Sequence, residues 1–216
     1  MMVSAENDPR RAGTIWTLNL DESVPVVTPL IAATFRHVGA ELVPALVSTM
    51  GRDASAEILK RFETGRRCYT AWVGGQLASY GWVSFDDEHI GELNLRIRLL
   101  PGEVYIWDCA TVPAFRRNRL YSALLSYIIG ELRAEGLCRA WIGADFDNKP
   151  SQQGMARAGF HHVADLVVAR VLALRQAWVQ GRPGVPDHVV AEARRAFLND
   201  RDKIWINAAS SAHSPS

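Results

Sequence analysis

The sequence predicts an α/β or α+β protein with one mixed β-sheet and helices on both of its faces. Three observations predict this fold class. Helical spacing of apolar residues dominates the first part of the chain, an antiparallel meander follows, and the last part alternates strand, helix, strand, helix and strand. The 216 residues suit one domain of above-average size, or one domain with an appended segment.

Composition excludes several classes of protein. The formal net charge is only +1, whereas a nucleic-acid-binding face normally brings a strong basic excess, so we expect no nucleic-acid partner. No run approaches the roughly 18 apolar residues that span a bilayer, and the N-terminus has no apolar signal core, so we expect a cytoplasmic protein with no membrane partner. The three cysteines lack metal-ligand spacing and indicate free thiols without a metal.

Periodicity and turn residues define the elements of the first quarter. Residues 14–20 alternate enough for a first strand. Residues 25–50 carry apolar side chains at helical spacing, with a break near Gly39, which predicts two helical stretches. A third helical stretch is predicted over residues 54–62, with Asp53 placed as its N-cap.

A β pattern occupies the middle of the chain. Residues 68–73 and 76–85 flank a Gly-Gly turn and are rich in aromatic residues, which predicts a β-hairpin. Residues 92–99 alternate strictly between apolar and polar side chains. Residues 104–112 are nearly continuous in apolar residues, so we expect them to form a central strand.

The second half predicts alternating helices and strands. An amphipathic helix is expected over residues 117–135, because apolar residues recur at helical spacing and a glycine follows. A strand over residues 137–145, a short helix over residues 150–158 and a strand over residues 161–174 come next. A final helix is predicted over residues 187–198.

The chain divides into one domain and three flanking segments. Polar ends at residues 1–12 and 209–216 are typical of disordered tails. We expect the domain over residues 13–174 and a C-terminal helical extension over residues 175–208, which is also a candidate homodimer contact.

The strongest chemical signal is a strand-to-helix turn after residue 112. A buried strand ends at Pro113, and a loop with Arg116, Arg117 and Arg119 leads into a helix. N–H groups in the first turn of a helix lack internal partners, and the helix dipole adds positive charge, so such a turn can bind phosphate. The arginines add charge-assisted contacts. Alone, the segment fits a solvated basic helix start equally well.

The second informative segment runs from Asn148 to Phe160. Asn148 is a good N-cap, a proline is tolerated in the first helical turn, and Gly159 is a helix stop. On its own the segment predicts a well-capped short helix.

Together the two segments resemble the GNAT superfamily of acyl-CoA-dependent N-acetyltransferases, over roughly residues 66–172. In that family a strand leads into V-x-P-x-x-R-G-x-G-x-G/A, and N-x-x-A/S-x-x-x-Y-x-K-x-G-F follows further along the chain. The residues in register with the second motif are Asn148, Ser151, Arg157 in place of lysine, Gly159 and Phe160. The resemblance implies a mostly antiparallel central sheet with a splayed strand pair and helices on both faces.

The first motif departs from the family pattern at three positions. Arg117, Arg119 and Tyr121 stand where the family has glycines, which let the backbone approach a pyrophosphate closely. We expect the N–H donors to be kept if these residues are helical with negative φ. Their side chains must then point away from the phosphates or hold them.

The resemblance implies acetyl-CoA as co-substrate and assigns its contacts. Backbone groups of Ala110, Thr111 and Val112, at the splayed strand end, would bind the pantetheine arm like an added strand. Asn148 and Ser151 would contact the other side of the cofactor. The residues expected around the pyrophosphate are Arg116, Arg117, Asn118, Arg119, Leu120, Tyr121 and Ser122.

Acetyl transfer to an amine needs a proton acceptor and a donor for the thioester oxygen. Asp108 is the predicted base, ahead of Glu103 and Glu92. A carboxylate paired with a neighbouring turn or arginine is the equal alternative for Asp108. For the oxygen, an N–H of Thr111 or Val112 is expected.

The leaving thiolate also needs a proton or must leave unaided. Many family members use a tyrosine where this chain has Met155, and methionine cannot donate a proton. We expect Tyr121 or a water to replace it, unless the thiolate leaves unaided.

These residues predict an N-acetyltransferase that moves an acetyl group from acetyl-CoA to a primary amine of a small molecule or peptide, by direct attack in a ternary complex. The alternative is a degenerate family member that binds an acyl-CoA as a sensor or scaffold. The missing glycines and Met155 favour this alternative, whereas Asn148, Ser151 and the Gly-Phe pair favour the enzyme.

Overall fold

The computed structural model describes residues 9–50, 54–90, 95–171 and 174–197. The predictions for residues 1–8, Asp53, Glu92 and residues 198–216 lie outside the described residues.

A single sheet of eight strands forms the centre of the fold. The ten described strands are β1 (Arg10–Asn19), β2 (Thr34–Val38), β3 (Arg67–Val73), β4 (Gln76–Ser84), β5 (Glu88–Ile90), β6 (Leu95–Ile97), β7 (Glu103–Thr111), β8 (Arg139–Asp145), β9 (His161–Val171) and β10 (Leu174–Gly181). The order in the large sheet is β10-β9-β1-β8-β7-β4-β3-β2, and β5 and β6 pair separately. Every neighbouring pair is antiparallel except β7 and β8.

Helices cover both faces of this sheet. The five α-helices of the described residues are α1 (Val43–Met50), α2 (Ser55–Glu63), α3 (Leu120–Ala134), α4 (Lys149–Arg157) and α5 (Asp187–Phe197). On one face, α3 and α4 pack over Ile106 and Ile142 in the largest apolar cluster. On the other face, α1 and α2 enclose Trp82, while α5 packs against Trp141. The predicted mixed sheet with helices on both faces is therefore confirmed.

The parallel pair β7–β8 separates along its length. Its pairing runs from Glu103 opposite Arg139 to Ile106 opposite Ile142 and then ends. Beyond that point β7 stays paired with β4, whereas β8 stays paired with β1. The two strands therefore diverge, and a gap opens between them at the level of residues 107–111.

The N-terminal part differs from the prediction. Residues 25–33 form no helix, and residues 34–38, which we also expected to be helical, form the edge strand β2. Pro25 and Pro29 interrupt the helical pattern, because each removes a backbone N–H donor. The first strand begins at Arg10, although residues 10–12 were expected in the tail. Arg10 and Arg11 pair with β9, and residue 12 lies at the register shift that follows.

The later elements agree with the prediction more closely, with three differences. Helix α3 begins at Leu120 and not at residue 117. The strand predicted over residues 92–99 is the short β6, which pairs with β5 outside the large sheet. The segment after residue 174, predicted as a helical extension, starts with β10, which pairs with β9 in the same sheet.

Two kinds of feature are absent from the described residues. None of their helices is long and apolar enough to cross a membrane. In the same residues, no group of three or more His, Cys, Asp or Glu side chains is arranged to hold a metal ion.

Candidate active site

The loop before α3 keeps a glycine-like backbone although it contains no glycine. Arg117 has a φ of 65° and Arg119 a φ of 59°, both in the left-handed region. Negative φ, the condition under which we expected the N–H donors to be kept, is therefore not met at these two positions. A left-handed conformation costs a residue other than glycine roughly 1–2 kcal/mol, so the surrounding structure must hold this turn in place.

Six consecutive backbone N–H groups at this turn are unpaired. Within the described residues, the amides of residues 117–122 have no hydrogen-bond acceptor, and the first amide bonded back along the chain is that of Ala123, which donates to the Arg119 carbonyl at 3.0 Å. Successive N–H groups that include left-handed residues form a concave anion-binding surface. The start of α3 adds its positive dipole end.

The side chains of the loop leave these amides open. Arg116, Arg117 and Arg119 are exposed, and no carboxylate of the described residues pairs with them. The Asn118 side chain donates to the carbonyls of Phe115 and Arg116, both at 3.2 Å, and thereby closes the loop on itself. The loop thus carries three exposed guanidinium groups beside unpaired amides, which suits a diphosphate.

Two side chains predicted here are not available to a ligand. Leu120 is 1% exposed within the apolar core, and Ser122 is 2% exposed. Only the backbone amides of these two residues can face a phosphate.

The end of β7 offers fewer backbone groups than we expected. The Val112 amide donates to the Ala78 carbonyl at 2.9 Å, and the Val112 carbonyl accepts from Phe115 at 2.9 Å. The Ala110 carbonyl accepts from the Ser79 hydroxyl at 2.8 Å. Val112 is therefore removed from the expected backbone donors, and the Ala110 carbonyl is already engaged on the side of β4.

Thr111 is the residue of this strand end that is turned towards a ligand. Its carbonyl accepts a hydrogen bond from the exposed Arg116 Nε at 3.1 Å. Because this partner is a solvent-exposed side chain, a competing donor can replace it.

Helix α4 carries the second predicted segment. Asn148 Oδ1 accepts from the Ser151 amide at 3.2 Å, so Asn148 is the N-cap of α4. Within the described residues, the Asn148 side-chain Nδ2 and the Ser151 hydroxyl have no partner. Met155, at the position where the family has tyrosine, is fully buried in the core.

Tyr121 is a residue of α3, and its ring packs against α4. Its ring contacts Gly154 so closely that a Cβ atom at residue 154 would stand 2.4 Å from Tyr121 Cδ1. Burial, with smaller contributions from Cys109 and Tyr105, raises the pKa of the Tyr121 phenol well above its ordinary value. The phenol therefore stays protonated at neutral pH.

Asp108 stands at a β-bulge near the end of β7. Asp108 and Cys109 oppose the single residue Gly81, and Asp108 has a φ of 42°. Its Oδ2 accepts from Nη1 of Arg61 on α2. The carboxylate–arginine pair that we kept as an alternative is thus present, while Oδ1 has no partner in the described residues.

Two of the predicted residues lie near β7 on opposite faces of the sheet. Tyr121 packs on the α3 face, and Asp108 pairs with Arg61 of α2 on the other face. Glu103 is placed differently, because its buried carboxylate pairs with Arg195 at 2.7 Å and accepts from the Leu100 amide at 2.9 Å. Glu103 is therefore a structural residue.

Two residues of the site escaped the sequence analysis. Arg61 showed only an i,i+4 spacing to Glu57 on a helix, and nothing in the sequence joins α2 to Asp108. Gly154 gave a weak signal, because a glycine inside a short helix indicates a close contact.

Comparisons with known proteins give the following results. The family model described as "Acetyltransferase (GNAT) family" matches residues 38–160, which is more than half of the chain. A search of curated proteins finds no match.

Solved structures share the fold. An acetyltransferase of the GNAT family from Colwellia psychrerythraea has a TM-score of 0.57 and 12% identity, over 82% of this chain and 58% of that chain. A GCN5-related N-acetyltransferase from Sphaerobacter thermophilus has a TM-score of 0.51 and 15% identity, over 72% of this chain and 50% of that one. The present chain therefore matches between half and three fifths of the length of these two relatives.

Proposed function

Because the chain belongs to the GNAT family of acetyltransferases, we propose that it is an N-acetyltransferase that moves an acetyl group from acetyl-CoA to a primary amine of a small molecule or peptide. The observation that carries this proposal is the row of unpaired amides at residues 117–122 beside the diverging strands. An acyl-CoA has a diphosphate to match the amides and an extended arm to match the gap.

The residues around the gap fit this cofactor. Amides of residues 117–122, with the guanidinium groups of Arg117 and Arg119, would hold the diphosphate. The Thr111 backbone would hydrogen-bond the pantetheine arm, once Arg116 leaves the Thr111 carbonyl. The side-chain Nδ2 of Asn148 and the hydroxyl of Ser151 would contact the cofactor from α4. When bound, acetyl-CoA supplies an acetyl group activated as a thioester.

The reaction balances with the groups at hand. A bond forms between the amine nitrogen and the acetyl carbon, and the bond from that carbon to sulfur breaks. The amine proton passes to Asp108 Oδ1 or through it to solvent, because an amine with a pKa near 10 arrives protonated. Tyr121 gives a proton to the departing sulfur, and the second proton that the nitrogen loses as the amide forms restores the Tyr121 phenol.

The experiment is a pair of measurements on the purified chain. Calorimetry should give acetyl-CoA binding in the micromolar range, and a thiol-release assay with a panel of amines should show free coenzyme A with at least one of them. No heat and no thermal shift with acetyl-CoA would refute the proposal.

A sensor or scaffold that binds an acyl-CoA is the second candidate, favoured by the buried Met155 in place of a proton donor. The same two measurements separate the candidates. A sensor binds acetyl-CoA and releases no thiol with any amine, whereas the enzyme does both.

A further inference from the structure

We propose that Arg61 is a positioning residue that holds the Asp108 carboxylate at the β7 bulge, ready for the acceptor amine. This inference rests on the proposed function, in which Asp108 receives the amine proton. Arg61 touches neither the cofactor nor the reacting atoms, and acts through Asp108.

Arg61 is fixed on four sides. Its Nη1 donates to Asp108 Oδ2, and its Nη2 pairs with Glu57 Oε1 at 2.5 Å. The guanidinium carbon lies 4.4 Å from the centre of the Trp107 ring and 5.1 Å from that of Trp82. The Arg61 side chain is only 10% exposed. A buried cation needs such pairing, and its planar group suits stacking on indole rings.

Asp108 needs this support because its backbone is unfavourable. A φ of 42° is uncommon for aspartate and persists only where neighbouring groups enforce it. The bulge re-aims the side chain away from the regular strand direction. With Oδ2 held by Arg61, Oδ1 is the oxygen left for a substrate.

The charges around Asp108 favour an ammonium ion as its partner. Arg61 is the charged group that pairs with it from α2, and Glu57, on the same helix, pairs with Arg61. From β3 and β4, Cys68 and Tyr80 face it, and burial raises the pKa of both, so they stay neutral. One guanidinium between two carboxylates leaves a net negative charge, which attracts a cationic amine.

A double-mutant cycle tests the proposal. Arg61→Ala should lower kcat about 10- to 100-fold and leave acetyl-CoA affinity within about twofold, because Asp108 loses its orientation. In an Asp108→Asn background, Arg61→Ala should cause no further loss. Independent, additive losses would show a structural role and overturn the proposal, as would an Arg61→Ala kcat within about twofold of the wild type.

The matched control is Arg67→Ala, which removes an ion pair with Glu135 at 2.6 Å at the end of α3, on the other side of the sheet from α2. Its kcat should not change. Should Arg61→Ala fail to fold, the cycle is run with Arg61→Lys. Lysine keeps the positive charge but lacks the planar guanidinium that bonds Asp108 and Glu57 at the same time. Arg61→Lys should then show the same non-additivity.

A readout without turnover separates this inference from the proposed function. In ¹⁵N spectra of the acetyl-CoA-free chain, Arg61→Ala should shift the Cys109 and Ala110 amide signals, and guanidinium chloride should return them, whereas ammonium chloride should not. The same guanidinium addition should restore part of kcat. If the wild type acetylates no amine, the proposed function fails, and the spectra alone decide whether Arg61 positions Asp108. That role is refuted if Arg61→Ala does not shift the Cys109 and Ala110 signals, or if guanidinium does not return them to their wild-type positions.

Discussion

The ring of Tyr121 on α3 rests directly on the α-carbon of Gly154 on α4. A Cβ atom at residue 154 would come within 2.4 Å of Tyr121 Cδ1 and 2.7 Å of its Cε1. A residue without a side chain in one helix thus makes room for a bulky residue in the other. This pair explains how a tyrosine fits at a position where related motifs have glycine or alanine.

Gly154→Ala should therefore displace the Tyr121 ring. We expect a loss of about 1–3 kcal/mol in the free energy of unfolding, because the added methyl group overpacks the contact. The matched control is Gly130→Ala on α3, where a Cβ atom would meet no atom within 4 Å. That exposed helical position should gain about 0.5–1 kcal/mol.

Urea unfolding of both variants checks this prediction. Removing the ring in the double variant Gly154→Ala/Tyr121→Ala should remove the clash. Tyr121→Ala should therefore destabilise the Gly154→Ala variant far less than it destabilises the wild type. Equal destabilisation in both backgrounds would contradict the proposed contact.

Arg119→Gly should stabilise the chain. The φ of 59° suits glycine, so the substitution should remove about 1 kcal/mol of backbone strain and raise Tm by about 2–4 °C. Arg119→Ala keeps a side chain at the same φ and should bring no such gain. Both variants should bind acetyl-CoA about 3- to 10-fold more weakly, since each loses the guanidinium group. Equal Tm values for the two would argue against strain at this position.

Asn148 allows its two roles to be separated. Asn148→Ala removes the acceptor of the Ser151 amide and should cost about 1 kcal/mol of stability and also weaken acetyl-CoA binding. Asn148→Asp keeps a capping oxygen and should keep the stability, but its charge would repel a bound diphosphate. Thermal melts and calorimetry would detect this split, and an Asp variant that binds as tightly as the wild type would exclude Asn148 from the cofactor site.

Tyr121→Phe should lower kcat by about 10-fold or more and leave acetyl-CoA affinity unchanged, because only the proton donor is lost. The raised pKa of Tyr121 adds a second expectation. Wild-type activity should not fall on the alkaline side until pH exceeds about 10, the ordinary pKa of tyrosine. An unchanged kcat in the variant would remove Tyr121 as the acid.

His162 should make stability depend on pH. Its imidazole stacks on Trp16 and pairs with Asp165 at 2.8 Å, and desolvation, with Arg182 as a second cause, lowers its pKa. The unfolded chain then binds a proton more readily than the folded chain, so this contribution is present above about pH 6.5 and is lost as pH falls through the lowered pKa.

His162→Gln should therefore flatten the fall in stability between pH 7 and 5, by at most about 1.4 kcal/mol per pH unit. Urea unfolding at several pH values measures this slope. The neighbouring exposed His161, replaced in the same way, is the control. A slope that is unchanged in His162→Gln would show that other groups cause it.

Local patterns predicted the elements that local interactions determine. The hairpin β3–β4, the strand β7 and the helix α5 were all found, because alternation, glycine turns and helical spacing define them within a few residues. The strand β2 was missed, since its apolar residues Phe35 and Val38 also fit helical spacing and its pairing with β3 lies far along the chain. Long-range pairing decided the structure there.

The site was predictable in its elements and not in its details. The turn before α3 and the cap of α4 carry recognisable residues, so the loop at residues 116–119 and Asn148 could be singled out. The left-handed conformations of Arg117 and Arg119, and the approach of Arg61 to Asp108, depend on how separate elements pack. No spacing in the sequence reports such contacts.

The position of β1 has a consequence for how the chain is made. Residues 10–19 lie between β8 and β9, both antiparallel to them, so β1 has no partner in the sheet until β8, at residues 139–145, has been synthesised. β1 must stay unpaired while residues 20–138 are synthesised, and among the described strands β9 and β10 join the rest of the sheet through it. An expression variant that lacks the first 20 residues should therefore lose the whole C-terminal edge of the sheet and not merely a tail.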